Sequence, residues 1–310
     1  MNLSLAHLAT LGALRRRGTM VAVADELGYT PGAVSQQIAA LEKSVGTQLI
    51  TRIGRNVTLT DSGRVLADHA EKILAAERTA LEALRAVRED VAAPLLLGTF
   101  GSTAAALLPP VVTATQRMYP RLDLTSRELD VDDVVTAVQR AQVDAAFGLD
   151  YPNTPMPRSP DVEMITLRTE LFGLAVSRGA YDLHTDVEFE LGEAADWDFI
   201  IPPAETPFGR AVRAACRQEG FEPNVRHEIT DTAVSLALAG RGLGATFVTD
   251  MMVGLNPSVP IVRVRLAQEF TRQIVLIRLA GSQNRPTMRA ITEIVRNVVD
   301  PEARETQAPS

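Results

Sequence analysis

Hydroxyl and amide side chains stand together at Ser35-Gln36-Gln37, shortly after a Thr30-Pro31 pair. Such groups donate and accept hydrogen bonds, which suits them to the edges of base pairs. Arg52 and Arg55 flank Gly54 between two β-prone runs, 49–53 and 56–60. Arginines at the tip of a short hairpin suit phosphates or an adjacent minor groove. Gly101-Ser102-Thr103 follows an apolar run at 95–99, and a helix opening there would turn free N–H groups toward a carboxylate or phosphate. Each pattern also has a plainer reading: the polar face of a small bundle, solvated surface charge, and an ordinary helix cap.

Patterns for bond-making chemistry do not occur. There is no G-x-S-x-G elbow and no P-loop. Gly240-Arg241-Gly242-Leu243-Gly244 lacks the dinucleotide-binding spacing and follows a helix rather than a strand, so it reads as a C-cap and turn. Cys216 is the single cysteine, which excludes a disulfide framework or a Cys-rich zinc site and reads as a packed small hydrophobe. His7, His69, His184 and His227 are far apart with no ligand spacing. The sequence thus predicts no enzyme, no metal and no cofactor.

The polar triplet needs a scaffold. Leu5, Leu8, Leu11 and Leu14 recur every three positions, one face of a helix over 2–17. Gly18 ends it and Thr19 caps a short second helix carrying Val21, Ala22, Ala24 and Leu27. Gly28 turns the chain, Thr30-Pro31 starts a third helix over 31–43, and Val34, Ile38 and Leu41 form its inner side. Two short helices at a tight glycine turn make a helix-turn-helix, whose second helix is the one that enters a major groove. The hairpin after it completes a winged helix.

Charge is distributed to match. The chain carries −7 overall, yet residues 1–60 carry +3, leaving −10 for the rest. A small basic head on an acidic body is compatible with nucleic acid at the head alone. The uncharged stretch 91–116 is long enough for a bilayer, but Pro94, Gly98, Gly101, Pro109 and Pro110 would break such a helix. With no leader at the N-terminus, the reading is soluble and cytoplasmic, without a membrane partner.

From Asp61 to about Asp90 there is no proline, and the one glycine is Gly63. Two heptad lines run along this segment: Leu66, Ile73, Ala80, Val87 and Ala70, Glu77, Leu84, Val91. An apolar stripe on so long a helix predicts a dimer seam, which would present two recognition helices to two half-sites.

The remainder alternates strands and helices, which predicts α/β architecture with mostly parallel sheets. Strands are expected at 95–99, 122–127, 143–149, 170–177, 199–201, 226–229, 245–248 and 272–279. Helices are expected from 101 to about 108, where Pro109-Pro110 stops the first, and over 131–141, 209–219, 232–239 and 287–299. Tyr151 to Pro160 is proline-rich connecting chain. Two similar lobes crossed twice, the second time near Pro260–Arg265, resemble the periplasmic-binding-protein architecture, with a ligand cleft between lobes.

The run from Gly18 to Glu42, with Arg52 through Gly63, closely resembles the LysR-type transcriptional regulators. The resemblance spans the chain but is specific over roughly the first 65 residues. It implies a winged helix-turn-helix, a long dimerisation linker helix and a two-lobed effector-binding domain. By position, Pro31, Ser35, Gln36 and Gln37 would face bases or nearby phosphates, the capping Thr19 and Thr30 would join them as DNA-binding residues, and Arg52 and Arg55 would touch the backbone. The family's effector pocket falls at Gly101, Ser102 and Thr103, at Pro203, Glu205 and Thr206, near Asp130, at Thr232 and after Phe247. Phe100 stands where many relatives carry a small polar residue, and it would either reject the usual small anionic effectors or fill the pocket so that no effector binds; Glu205 also argues against a simple dianion. Homodimers paired into tetramers and contact with RNA polymerase are likewise implied.

The expected organisation is 1–60 for the DNA-binding domain, 61–91 for the linker helix and 92–310 for the effector-binding domain. Lobe I would hold about 92–160 and 266–300, lobe II about 161–265, and 301–310 would be a disordered tail. The competing reading is a small-molecule-binding module whose N-terminal helices only dimerise.

Overall fold

The structure is a computed structural model and describes residues 3–53, 56–86, 93–180 and 188–299. Two compact units divide the chain, the first holding residues 1–89 and 139–142 and the second 90–138 and 143–310.

The first unit opens with α1 (Leu5–Arg17), α2 (Met20–Leu27) and α3 (Pro31–Val45). Leu8, Leu11, Leu14, Val23, Val34, Ile38 and Leu41 interlock in one dry core, while Leu5 is exposed. Gly18, Gly28 and Gly46 end the three helices in left-handed backbone, with φ near +70°, a conformation that glycine adopts without a Cβ penalty. Thr19 and Thr30 cap α2 and α3, their Oγ1 atoms accepting from Ala22 N–H at 3.3 Å and Ala33 N–H at 3.2 Å. The hairpin of β1 (Ile50–Ile53) and β2 (Asn56–Leu59) follows, antiparallel with Ile50 opposite Leu59.

Helix α4 (Asp61–Ala86) has 26 residues and is therefore about 39 Å long. Its start is pressed onto the hairpin root: a Cβ at Gly63 would stand 2.0 Å from the Leu49 carbonyl oxygen. The expected seam is corrected here. Ala67 and Ala70 are fully buried in the first unit's own core and Leu66 packs beside them, because alanines let α1 and α4 approach closely. Val65, Ile73 and Leu81 remain exposed on α4. Val87 and Val91 lie outside the described residues, as does the tail 301–310.

The second unit continues with β3 (Pro94–Thr99), α5 (Gly101–Met118), β4 (Asp123–Glu128), α6 (Val134–Gln139), β5 (Ala145–Asp150) and β6 (Val162–Leu171). Then come β7 (Gly173–Ser177), β8 (Asp198–Ile201), α7 (Pro207–Gln218), β9 (Asn224–Glu228), α8 (Thr232–Ala239) and β10 (Thr246–Val248). The chain closes with α9 (Asp250–Gly254), β11 (Ile261–Arg265), β12 (Thr271–Leu279) and α10 (Pro286–Val299).

A five-stranded sheet in the order β4-β3-β5-β12-β6 forms one lobe; β10-β7-β11 and the pair β8-β9 form the other, joined by a bridge between Phe199 and Ala245. Among the described strands, β3 with β4 and β5, and β8 with β9, pair in parallel, as do the bridges Phe199–Ala245 and Phe189–Leu266. Strands β12 and β7 are antiparallel to both neighbours, so the expected mostly parallel sheets are in fact mixed. These two strands are the ones that enter each lobe from the other, and they arrive against the direction of the strands already there.

Three further expectations change. Helix α5 continues through Pro109 and Pro110 to Met118; both prolines are exposed, so the carbonyls that they leave without N–H partners can be met by water. The expected strand 170–177 is two strands, β6 and β7, in different sheets and broken at Phe172. The first crossing therefore falls at Phe172 rather than near 160, and β6 belongs to the first lobe. Residues 261–265 form β11 in the second lobe, so the second crossing follows between Leu266 and Thr271.

Candidate nucleic-acid interface

Helix α3 is held at its start by the Thr30 cap and by Pro31 at the first helical position. Pro31, Gly32 and Gln36 are exposed and Ser35 is half-buried. This face continues into a shallow groove between α3 and the hairpin, lined by Ser35, Ala39 and Glu42 on one side and Gln48, Ile50 and Thr51 on the other. Glu42 fixes that groove: its Oε1 accepts from Leu49 N–H at 2.8 Å and from Ile50 N–H at 3.2 Å. Arg52 sits on β1 opposite Val57, and Arg55 lies outside the described residues.

Gln37 behaves differently from its neighbours. It is half-buried, and its Oε1 accepts a hydrogen bond from the hydroxyl of Thr10, which is fully buried in α1. Its amide nitrogen is what it can offer outward. Sequence reasoning missed the lining residues Glu42, Gln48 and Thr51; their signal is their place at the end of the helix and the root of the wing.

The arginine triplet is used within the fold. Arg16 and Arg17 pair with Glu26 at 2.7 and 2.5 Å, and Arg15 pairs with Asp68. The hydrogen bond from Arg17, with Arg16 beside it, holds the Glu26 carboxyl below the usual glutamate range.

In the second unit the expected pocket residues fall into two groups. Phe100 holds the cap position of α5 but is buried in the core, leaving Gly101 exposed and Ser102 and Thr103 buried. The hydroxyls of Thr99 and Thr103 are buried without a hydrogen-bond partner among the described residues. Asp130 is exposed before a short turn at Val131–Asp133. On the other lobe, Thr206 caps α7, accepting from Gly209 N–H at 3.0 Å and donating to Pro203 O at 2.8 Å; Glu205 is exposed beside it. The cap of α8 is Asp231 and not Thr232. Thr232 and Phe247 line one small pocket with Phe208, Thr230, Ser235 and Thr246, whose walls carry hydroxyls and apolar groups and no charged side chain. Phe100–Thr103, Asp130, Pro203, Glu205 and Thr206 do not line that pocket.

The glycine run 240–244 lies between α8 and β10, as a cap and turn. Cys216 is fully buried in α7, and burial pushes its thiol up to about 12. Among the described residues no cluster of His, Cys, Asp and Glu could hold a metal ion, and no helix is long and apolar enough to cross a membrane.

Two family descriptions match the chain: the bacterial regulatory helix-turn-helix protein of the lysR family over residues 5–64, and the LysR substrate binding domain over 88–300. The chain belongs to the LysR family. It is a DNA-binding transcription regulator with an effector-binding domain, and its relatives are regulators rather than enzymes. That assignment decides against helices that serve only for dimerisation.

Relatives of this LysR regulator include the HTH-type transcriptional regulator XapR of Escherichia coli, 26% identical over 76% of this chain and 82% of XapR. The uncharacterised regulator YfeR of Shigella flexneri is 22% identical over 96% and 94%. Among solved structures, a full-length OxyR variant from Pseudomonas aeruginosa superposes with a TM-score of 0.76 at 18% identity, covering 97% of this chain and 95% of that one. Full-length CbnR complexed with its target DNA gives 0.64 at 22% identity, over 96% and 100%. At these identities the neighbours establish the shared fold.

Proposed function

We propose that this regulator binds a dyad-symmetric operator as a homodimer, or as a tetramer of paired dimers, in the cytoplasm. The observation that carries the reading is the exposed start of α3, Pro31 to Gln36, with the wing root tied to its far end by Glu42. Ser35 and Gln36 would read base edges; Arg52 and Arg55 would hold the phosphate backbone. The exposed Val65, Ile73 and Leu81 of α4 would supply the pairing surface. A small molecule bound in the effector-binding domain, next to Thr232 and Phe247, would favour one pose of the subunits and so change DNA bending and contact with RNA polymerase.

The test is capture of sheared genomic DNA by the purified protein at about 150 mM salt, where non-specific phosphate binding is weakened. A few fragments sharing an inverted repeat are expected, and they should be lost when Ser35 and Arg55 are both replaced by alanine. Enrichment that survives both substitutions overturns the proposed surface, and a motif without two-fold symmetry overturns the dimeric reading.

A further inference from the structure

The two crossings between the lobes are one ribbon. Strands β6 and β12 pair as far as Leu171 opposite Thr271, and the ladder continues with Phe172 N–H donating to Phe270 O at 2.9 Å. Phe172 stacks on Phe270 and Phe208 with centroids 4.4 and 5.2 Å away, and Tyr151 stacks on Phe208 at 5.9 Å.

Directly beneath lies a buried ion pair. Glu170 and Arg272 are cross-strand partners, 5% and 1% exposed, with 2.8 Å between Arg272 Nε and Glu170 Oε2. The guanidinium also lies over the Phe172 ring, 5.6 Å from its centroid. Both charges belong to the sheet of the first lobe. The second lobe reaches them through Thr249, which is fully buried between β10 and α9. Its Oγ1 accepts from Arg272 Nη2 at 3.2 Å and donates to Glu170 Oε2 at 3.3 Å. The other carboxylate oxygen, Glu170 Oε1, is buried with no hydrogen-bond partner among the described residues.

We infer that Thr249 with the Glu170–Arg272 pair is a latch at the hinge, which holds the second lobe in one discrete pose against the first. The ion pair rides with the first lobe in any rotation, so opening parts the hydroxyl from both charges at once and leaves an already under-satisfied carboxylate with one partner fewer. Such a contact makes the hinge two-state instead of continuously flexible, the property a ligand-driven switch needs. The inference rests on the two-lobed architecture and not on the identity of any effector.

Hydrogen exchange of the full-length protein tests it, with Thr249→Val, Thr249→Ser and Arg272→Lys. The valine variant keeps the shape and loses the hydroxyl; the serine variant keeps the hydroxyl; the lysine variant leaves intact the Thr249 cap of α9, in which Oγ1 accepts from Met252 N–H at 3.4 Å, while removing the guanidinium's separate contacts with Glu170 and Thr249. Peptides covering 171–173 and 270–272 should exchange at least threefold faster in Thr249→Val and Arg272→Lys, and at the wild-type rate in Thr249→Ser. Peptides from β3 and β5 should be unchanged in all three. Acceleration confined to α9 in Thr249→Val would assign the hydroxyl to helix capping alone and overturn the latch. Equal acceleration in β3 and β5 would overturn it as well, since the residues would then be supporting general stability.

Discussion

The Glu42 carboxylate accepts the backbone N–H of Leu49 at 2.8 Å, joining the last turns of α3 to the first strand of the wing. A neutral peptide N–H bonded to an ionised oxygen is one of the stronger contacts available to a protein. Its position makes it a spacer: α3, the proposed recognition helix, and the hairpin beside it move as one body. A second N–H, from Ile50 at 3.2 Å, shares the same oxygen.

Replacing Glu42 by alanine should therefore act on DNA binding without removing any DNA contact. Loss of a charge-assisted bond predicts about 1.5–3 kcal/mol of destabilisation of the first unit, with operator affinity falling by more than the change in folded fraction explains. Glu42→Gln keeps an acceptor oxygen and should recover most of both. Thermal unfolding and operator titration on the same samples check this; equal affinity for Glu42→Ala and wild type would show that the wing finds its place without the tether.

Gln36 and Gln37 separate in the structure although they are adjacent and chemically identical. Gln36 is exposed, whereas the Gln37 carbonyl oxygen is held by Thr10. Gln36→Ala should lower specific binding by about 1–3 kcal/mol, the value of a lost base contact, and leave the melting temperature unchanged. Gln37→Ala should leave the buried Thr10 hydroxyl with one partner fewer and cost about 1 kcal/mol of stability. Competition titrations against mismatched DNA, with melting curves, distinguish the two; the reverse pattern would mean that Gln37 rotates outward on binding.

The elements that sequence revealed well were those with local causes. Glycines after each short helix, threonine caps and proline at the first turn of α3 encode the helix-turn-helix within a few residues of each boundary. What escaped was set by distant partners. The break at Phe172 has no turn signal, because the chain stays extended and only changes sheets; the close approach that demands Gly173, where a Cβ would lie 2.4 Å from Val264 O, comes from the far end of the domain. Pro109 and Pro110 read as a stop because the sequence cannot tell that their side of α5 faces water. Ala70 fits a seam by heptad spacing, and only the presence of α1 against it shows that it is already covered. In the candidate pocket, Thr232 and Phe247 come from the family resemblance, while Thr230, Ser235 and Thr246 converge from a loop, a helix and a strand that carry no shared spacing.

Glu71 supplies the last prediction. It is 5% exposed on α4, and neither carboxylate oxygen has a hydrogen-bond partner among the described residues. Burial disfavours the charged form and raises its pKa above the ordinary glutamate value; the Arg15 charge opposes this only in part. A carboxyl whose folded pKa is raised binds its proton more tightly in the folded state than in the unfolded one. Above the folded pKa it stays ionised in both states, and folding bears the full burial penalty. As pH falls through the folded pKa toward the unfolded value near 4.3, the penalty disappears. Glu71→Gln should therefore raise the melting temperature of the first unit at pH 7 by a few degrees, and the advantage should shrink steadily as the buffer is taken toward pH 4.5. Melting curves of both proteins across that range give the answer. A difference independent of pH would mean that the Glu71 carboxyl has the same pKa in the folded and the unfolded protein, and a wild type more stable at pH 7 would mean that its charge has a stabilising partner.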